Sequence, residues 1–155
     1  MKREENRVYF RAVTEENFQA VIDMKRPEGE PFVRPNVYSL AQAWLYRDTG
    51  RVHPAAIYSG DEPVGFLLLD ERPEERSLTL WRIMFPAEYQ NRGYGTQAIR
   101  QLIQAAKESG KYDFLFLNCD PANQIGEHVY RKLGFRPTGE MVNGEMTYRL
   151  SLAET

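Results

Sequence analysis

The sequence predicts one α+β domain, with mixed α/β layers in which about seven strands form a single mixed sheet and about four helices cover it. Three observations lead there. Short strand-like apolar runs alternate with helix-period runs along the whole chain. Phe114-Leu115-Phe116-Leu117 is a continuous apolar run, which predicts a strand covered on both faces. Asn143-Gly144 lies between two further strand-like stretches and predicts a closing hairpin. At 155 residues the chain suffices for one domain with a full core, and the reading assigns residues 1–155 to that unit.

Val8 to Val13 reads as the first strand. Thr14 reads as a helix N-cap, with Glu15 and Glu16 in the favoured first turn and Phe18, Val21 and Ile22 on the buried side. That helix should stop near Lys25, because Pro27 and Gly29 follow. Residues 27–35 hold three prolines and form the least regular stretch. Ser39 reads as the cap of a helix from Leu40 to Arg47, with Leu40, Ala43 and Trp44 on one side. Ala55–Tyr58 and Val64–Leu69 flank the turn Ser59-Gly60-Asp61-Glu62 and predict a hairpin. Arg72 to Arg76 reads as a charged loop, and Ser77 to Phe85 as the next strand. A helix from Thr96 to Ser109 buries Ile99, Leu102, Ile103 and Ala106, and Gly110 stands where a left-handed cap belongs. Pro121 and Asn123 open a last helix, with Ile125, Val129 and Leu133 as its buried stripe and Gly134 at its end.

Composition narrows the function classes. Apolar residues make up 42% and charged residues 27%, and the net charge is -2, so no basic footprint points to nucleic acid. The single cysteine, Cys119, rules out an intrachain disulfide and a cysteine-based zinc cluster; it reads as a buried strand-end residue, since no catalytic partners stand near it in a triad pattern. His53 and His128 stand alone, with no metal-ligand spacing, so no metal is expected. The N-terminus lacks the apolar run of a signal peptide, and no run approaches the roughly 18 residues of a membrane span. The expectation is a cytoplasmic protein.

The chemistry is carried by Gln90-Asn91-Arg92-Gly93-Tyr94-Gly95. It follows a strand and opens a helix. First-turn amides of a helix have no internal partner, and the peptide dipoles add positive charge at the same end. Two glycines allow close approach of a phosphate. A second cluster lies downstream, where Asn123, Tyr130 and Gly134-Phe135 share one helix and its end.

Together these motifs resemble the GNAT superfamily of N-acetyltransferases. Gln90, Gly93 and Gly95 fit that family's acetyl-CoA loop. Asn123, Tyr130, Gly134 and Phe135 fit its later element, with Gly126 in place of the usual alanine. The resemblance implies a GNAT fold whose sheet splays between the fourth and fifth strands. It implies that the pantetheine arm of acetyl-CoA pairs with Ile83, Met84 and Phe85, while the pyrophosphate sits on the amides of Arg92, Gly93, Tyr94, Gly95 and Thr96, beside Gln90 and Asn91. It implies direct attack by a bound amine, a backbone N–H at the oxyanion, and no covalent enzyme intermediate. Tyr130 is then the acid for the departing thiolate, and Asn123 both caps its helix and bonds the arm. Arg131 and Lys132 read as a solvated helix face.

A primary amine with a pKa near 10.4 is neutral in about one molecule per few thousand at pH 7, so something must take its proton. Glu28, Glu30 and Asp120 are candidates, either for that step or for holding a cationic acceptor. Residues 31–43 also resemble the spermine/spermidine acetyltransferase subgroup. That resemblance implies a polyamine or other small amine as acceptor, met by Glu28, Glu30, Phe32, Tyr38, Trp44 and Trp81. An enzyme for an amino acid, an aminoglycoside or a protein amine is the alternative, as is a non-catalytic acyl-CoA sensor. The family often pairs through its late strands, and the strands flanking Asn143-Gly144 could form such a homodimer, though no sequence feature decides it.

Overall fold

A computed structural model of the chain describes residues 7–27 and 34–152. Its strands are β1 (Tyr9–Ala12), β2 (Val52–Ser59), β3 (Glu62–Arg72), β4 (Ser77–Met84), β5 (Phe114–Cys119), β6 (Arg136–Val142) and β7 (Glu145–Ser151). Its α-helices are α1 (Phe18–Asp23), α2 (Asn36–Leu45), α3 (Tyr94–Ser109) and α4 (Gln124–Lys132). The strands form one seven-stranded sheet in the order β1-β2-β3-β4-β5-β7-β6. Every pairing is antiparallel except β4 with β5. The predicted strand and helix count holds among the described residues.

Each face of the sheet has its own core. On one face, Leu67, Leu78, Leu80, Leu115 and Leu117 pack against Ala98, Ile99, Leu102 and Ala106 of α3. On the other, Phe66, Leu68, Ala56 and Tyr58 pack against Val21 of α1 and Leu40 and Ala43 of α2. The second cover is short. It spans β2 and β3 and leaves the β5–β7 side open.

That short cover corrects the expectation for β5. Leu115, Leu117 and Cys119 are buried, whereas Phe114, Phe116 and Asn118 are only half-buried, because no helix among the described residues lies over their face. Phe18 is 46% exposed, since α1 is six residues long and turns only Val21 fully inward. Thr14 does not cap it. A turn intervenes, in which the Thr14 amide donates to Asn17 Oδ1 at 2.9 Å. Helix α2 starts at Asn36, directly after Pro35, so Ser39 lies inside it and its hydroxyl accepts from Arg82 at 3.2 Å. Trp44 is exposed rather than aligned with Leu40 and Ala43, and it carries the Arg47 guanidinium 3.9 Å above its ring. β3 extends to Arg72, leaving only a single 3-10 turn at Pro73–Glu75 of the expected charged loop.

The parallel β4–β5 ladder covers only Ser77↔Phe114 to Leu80↔Leu117. Beyond it, both strands continue unpaired to one another. The cause is local. On the β3 side of β4, Leu69 faces Leu80 but Leu68 faces Arg82, so Trp81 is an inserted bulge residue. A bulge bends its strand and increases the local twist. β4 therefore swings away from β5 at Trp81, and the sheet opens into a cleft where the splay was expected.

Candidate active site

The cleft runs through the sheet, so its lining comes from both faces. Leu80, Leu117, Cys119 and Tyr130 belong to the α3 side, whereas Trp81, Arg82 and Asn118 belong to the opposite side. Asp120, Asn123 and Glu145 complete this part. A second part joins it, lined by Ile83, Met84, Phe85, Gln90, Asn123, Gly126 and Tyr130, with Arg26 and Pro27 beyond α1 at its edge. Ile83, Asn123 and Tyr130 line both parts, so they mark the junction.

The glycine loop has the form of an anion cradle. Asn91 and Gly93 both have left-handed backbones, with φ 62° and 81°, and Gly93 is the residue before α3. Only a residue without Cβ takes that cap conformation without strain. No side chain caps the helix, so its first amides stay available. Tyr94 does not face the ligand side. It is buried, and its ring stacks on Phe85 with centroids 6.4 Å apart. That stack fastens the start of α3 to the end of β4. Gln90 makes a second fastening, donating from Nε2 to the Phe85 carbonyl at 2.6 Å. Gly65 accommodates both, since a Cβ there would lie 2.6 Å from the Phe85 ring. Arg92 is exposed, with its guanidinium 5.7 Å from the Tyr89 ring.

Helix α4 delivers Asn123 and Tyr130. Asn123 accepts at Oδ1 from the Gly126 amide at 3.0 Å, a true N-cap. A Cβ at position 126 would lie 2.6 Å from Asn123 Nδ2. An alanine there would make the flexible carboxamide shift. The expected buried stripe holds only in part: Ile125 is 79% exposed and no α4 residue is fully buried, while Leu133 packs partly buried against the core. Tyr130 packs there too, edge-on to Phe135 with centroids 6.4 Å apart. Burial foremost, then Cys119 and Glu145, hold its hydroxyl above the usual phenol range. It stays protonated at neutral pH and is fit to donate.

Asp120 lies in the cleft, as does Trp81; Glu28, Glu30 and Phe32 lie outside the described residues. Arg82 and Glu145 were not expected there. Arg82 is held by Ser39 and by Gln42 of α2. Glu145 opens β7 directly after the Asn143-Gly144 turn, and only the β5–β7 pairing brings it to the cleft. No local motif marks it. Burial first, then Asp120, push its carboxyl upward, against an opposing pull from Arg82. Cys119 is buried, and its thiol is pushed up to about 11 mainly by burial, which leaves it unreactive. His53 faces Glu71 at 3.3 Å, and His128 is exposed on α4. Among the described residues, no cluster of His, Cys, Asp or Glu could hold a metal, and no helix is long and apolar enough to cross a membrane.

A family model described as Acetyltransferase (GNAT) family matches residues 7–135. The chain belongs to that family. As a GNAT member it is an acetyl-CoA-dependent N-acetyltransferase. The fit to the cosubstrate is visible in the uncapped α3 start, the two left-handed residues before it, and the strand edge of β4 freed by the bulge. The chain is 25% identical over 146 residues to the spermine/spermidine N(1)-acetyltransferase of Bacillus subtilis (strain 168), covering 89% of this chain and 94% of that protein. A spermidine N-acetyltransferase from Vibrio cholerae, solved with CoA and spermine, superposes with TM-score 0.72 at 14% identity, over 95% of this chain and 96% of that one. A ribosomal alpha-N-protein acetyltransferase superposes with TM-score 0.71 at 17% identity, over 94% of each chain. The GNAT fold is thus shared by enzymes with unlike acceptors.

Proposed function

We propose that this GNAT enzyme acetylates a primary amine of a polyamine or a related small amine. The observation that carries the reading is the pair of carboxylates, Asp120 and Glu145, in one cleft with Trp81 and with Tyr130. Carboxylates with an aromatic face suit an ammonium group. The cleft also continues. Trp81 and Asn118 line a further groove of about 510 Å³ on the open sheet face, with Asp70, Glu75 and Glu140 among its walls and Arg51 and Arg72 opposing them. A long flexible cation has room to extend there. The low-identity spermine/spermidine relative supports the same class.

Acetyl-CoA supplies the acetyl group as a thioester. The amides of Arg92, Gly93, Tyr94, Gly95 and Thr96 would hold its diphosphate, and the free edge at Ile83, Met84 and Phe85 would pair with its pantetheine arm. Asn123 stands at the junction beside that edge. Tyr130 gives its proton to the departing sulfur. A cytoplasmic location suits such a substrate. β6 is a sheet edge exposed along its whole length, which supports a homodimer through the late strands.

Thiol release with acetyl-CoA tests the reading, comparing spermine and spermidine with a peptide N-terminus and an aminoglycoside. The expected result is turnover of the polyamines at least tenfold above the others in kcat/KM. Preference for a peptide or an aminoglycoside overturns it.

A further inference from the structure

We propose that Glu145 takes the proton from the acceptor ammonium, with Asp120 as the second wall of the ammonium seat. The assignment rests on the amine reading above and names the residues that carry it out.

Strand register leads to the pair. On β5 and β7, Asn118 faces Thr147 and Cys119 faces Met146. The ladder ends there: β5 stops at Cys119, and Asp120 and Glu145 are the next residues beyond the last pair, both lining the cleft. Side chains alternate along a strand with period two, so Glu145 shares the face of Thr147. The Thr147 hydroxyl donates to Asn118 Oδ1 at 2.7 Å. That is the face of Trp81 and the open groove. Two carboxylates brought together repel one another. Here they converge on a cleft that must admit a cation, and a bound ammonium removes the conflict.

Of the two, Glu145 is the fitter proton acceptor. Asp120 is already engaged, since its Oδ1 accepts from the Ala122 amide at 2.9 Å in the turn after β5. Glu145 makes no such local bond; it is half-buried and lines the cleft with Cys119 of β5, Asp120 just after that strand, Arg82 of β4 and Tyr130 of α4. Burial and Asp120 raise its proton affinity, and Arg82 restrains that rise. A raised carboxyl is a stronger base than an ordinary one. In the step itself, one N–H bond of the ammonium breaks, its electron pair stays on nitrogen, and an O–H bond forms on Glu145. The amine becomes a neutral nucleophile, and Glu145 becomes neutral. Arg82 cannot do this, and Tyr130 is held protonated for the opposite task.

The test compares wild type, Glu145→Gln and Asp120→Asn with whichever amine the wild type acetylates best. Glu145→Gln is expected to lower kcat by about 10²–10⁴-fold and to recover activity roughly tenfold per pH unit as alkaline buffer supplies neutral amine. The wild type should instead level off above the Glu145 titration. Asp120→Asn should raise KM for the amine and keep most of kcat. Calorimetric titration with the amine and no acetyl-CoA gives the second readout. Both variants should bind the amine at least tenfold more weakly, while CoA binding, which reports folding, stays unchanged. A Glu145→Gln enzyme that keeps wild-type kcat and the wild-type acid limb overturns the assignment and leaves the polyamine reading standing. A wild type that prefers another amine, with Glu145→Gln still impaired, overturns the polyamine reading alone. A wild type inert toward every amine overturns both.

Discussion

Tyr130 has a ring fixed by Phe135 and a hydroxyl kept protonated by burial. Tyr130→Phe should therefore lower kcat by about 10²–10⁴-fold, while CoA affinity measured by calorimetry stays near wild type. Loss of CoA binding in that variant would assign the residue to binding instead. Gly65 is a residue whose role appears only in three dimensions. A Cβ there would lie 2.6 Å from Phe85 Cδ1 and Cε1 and 2.8 Å from the Met84 carbonyl oxygen. In the proposed reading Met84 and Phe85 form the cofactor edge, so Gly65→Ala should cost about 1–3 kcal/mol in denaturant unfolding and weaken CoA as well. Tyr130, Asn123 and the glycine loop were legible in the sequence because each belongs to a short motif with a local mechanism. Gly65 was not, because its constraint comes from a side chain twenty positions away.

Two elements do most of the positioning, namely the bulged strand β4 and helix α3. The helix offers a clean comparison, since both of its flanking glycines are left-handed, Gly93 with φ 81° and Gly110 with φ 67°. An L side chain in that region costs about 1–2 kcal/mol, so Gly93→Ala and Gly110→Ala should lower the melting temperature by similar amounts. Only Gly93→Ala should also weaken CoA in calorimetry, because only that end of α3 borders the cleft. Equal CoA affinity in the two variants would remove the cradle. The predicted boundaries of α3 and β4 were accurate to about two residues, as turn glycines and Pro86 mark them. The start of α2 was misplaced: Ser39 has the chemistry of a cap, but Pro35 had already begun the helix.

Across the whole molecule, the ends of distant strands are tied by the Tyr112 hydroxyl donating to Glu71. This bond joins the far end of β3 to the segment between α3 and β5. The Tyr112 bond foremost, with help from His53, holds the Glu71 carboxyl below its usual range, and burial with Glu71 pushes the Tyr112 phenol up to about 12. A depressed carboxyl stabilises the fold above its unfolded titration, and that stability is lost as pH falls through the depressed value. Tyr112→Phe should thus cost about 1–2 kcal/mol at pH 7 and progressively less in acid, read by denaturant unfolding across pH. An equal loss at every pH would show that the ion plays no part. At this scale the division is plain. The sequence alone determined the α+β class, the glycine turn that opens α3, the Asn123–Tyr130 helix and the GNAT resemblance, because period, turn chemistry and motif spacing are written within about fifteen residues of each other. Only the tertiary structure decided where the sheet parts, at the Trp81 bulge, and which carboxylates meet there. Asp120 and Glu145 are 25 positions apart and share no local signal. They become neighbours solely because β7 pairs with β5, and strand register is a property of the assembled sheet.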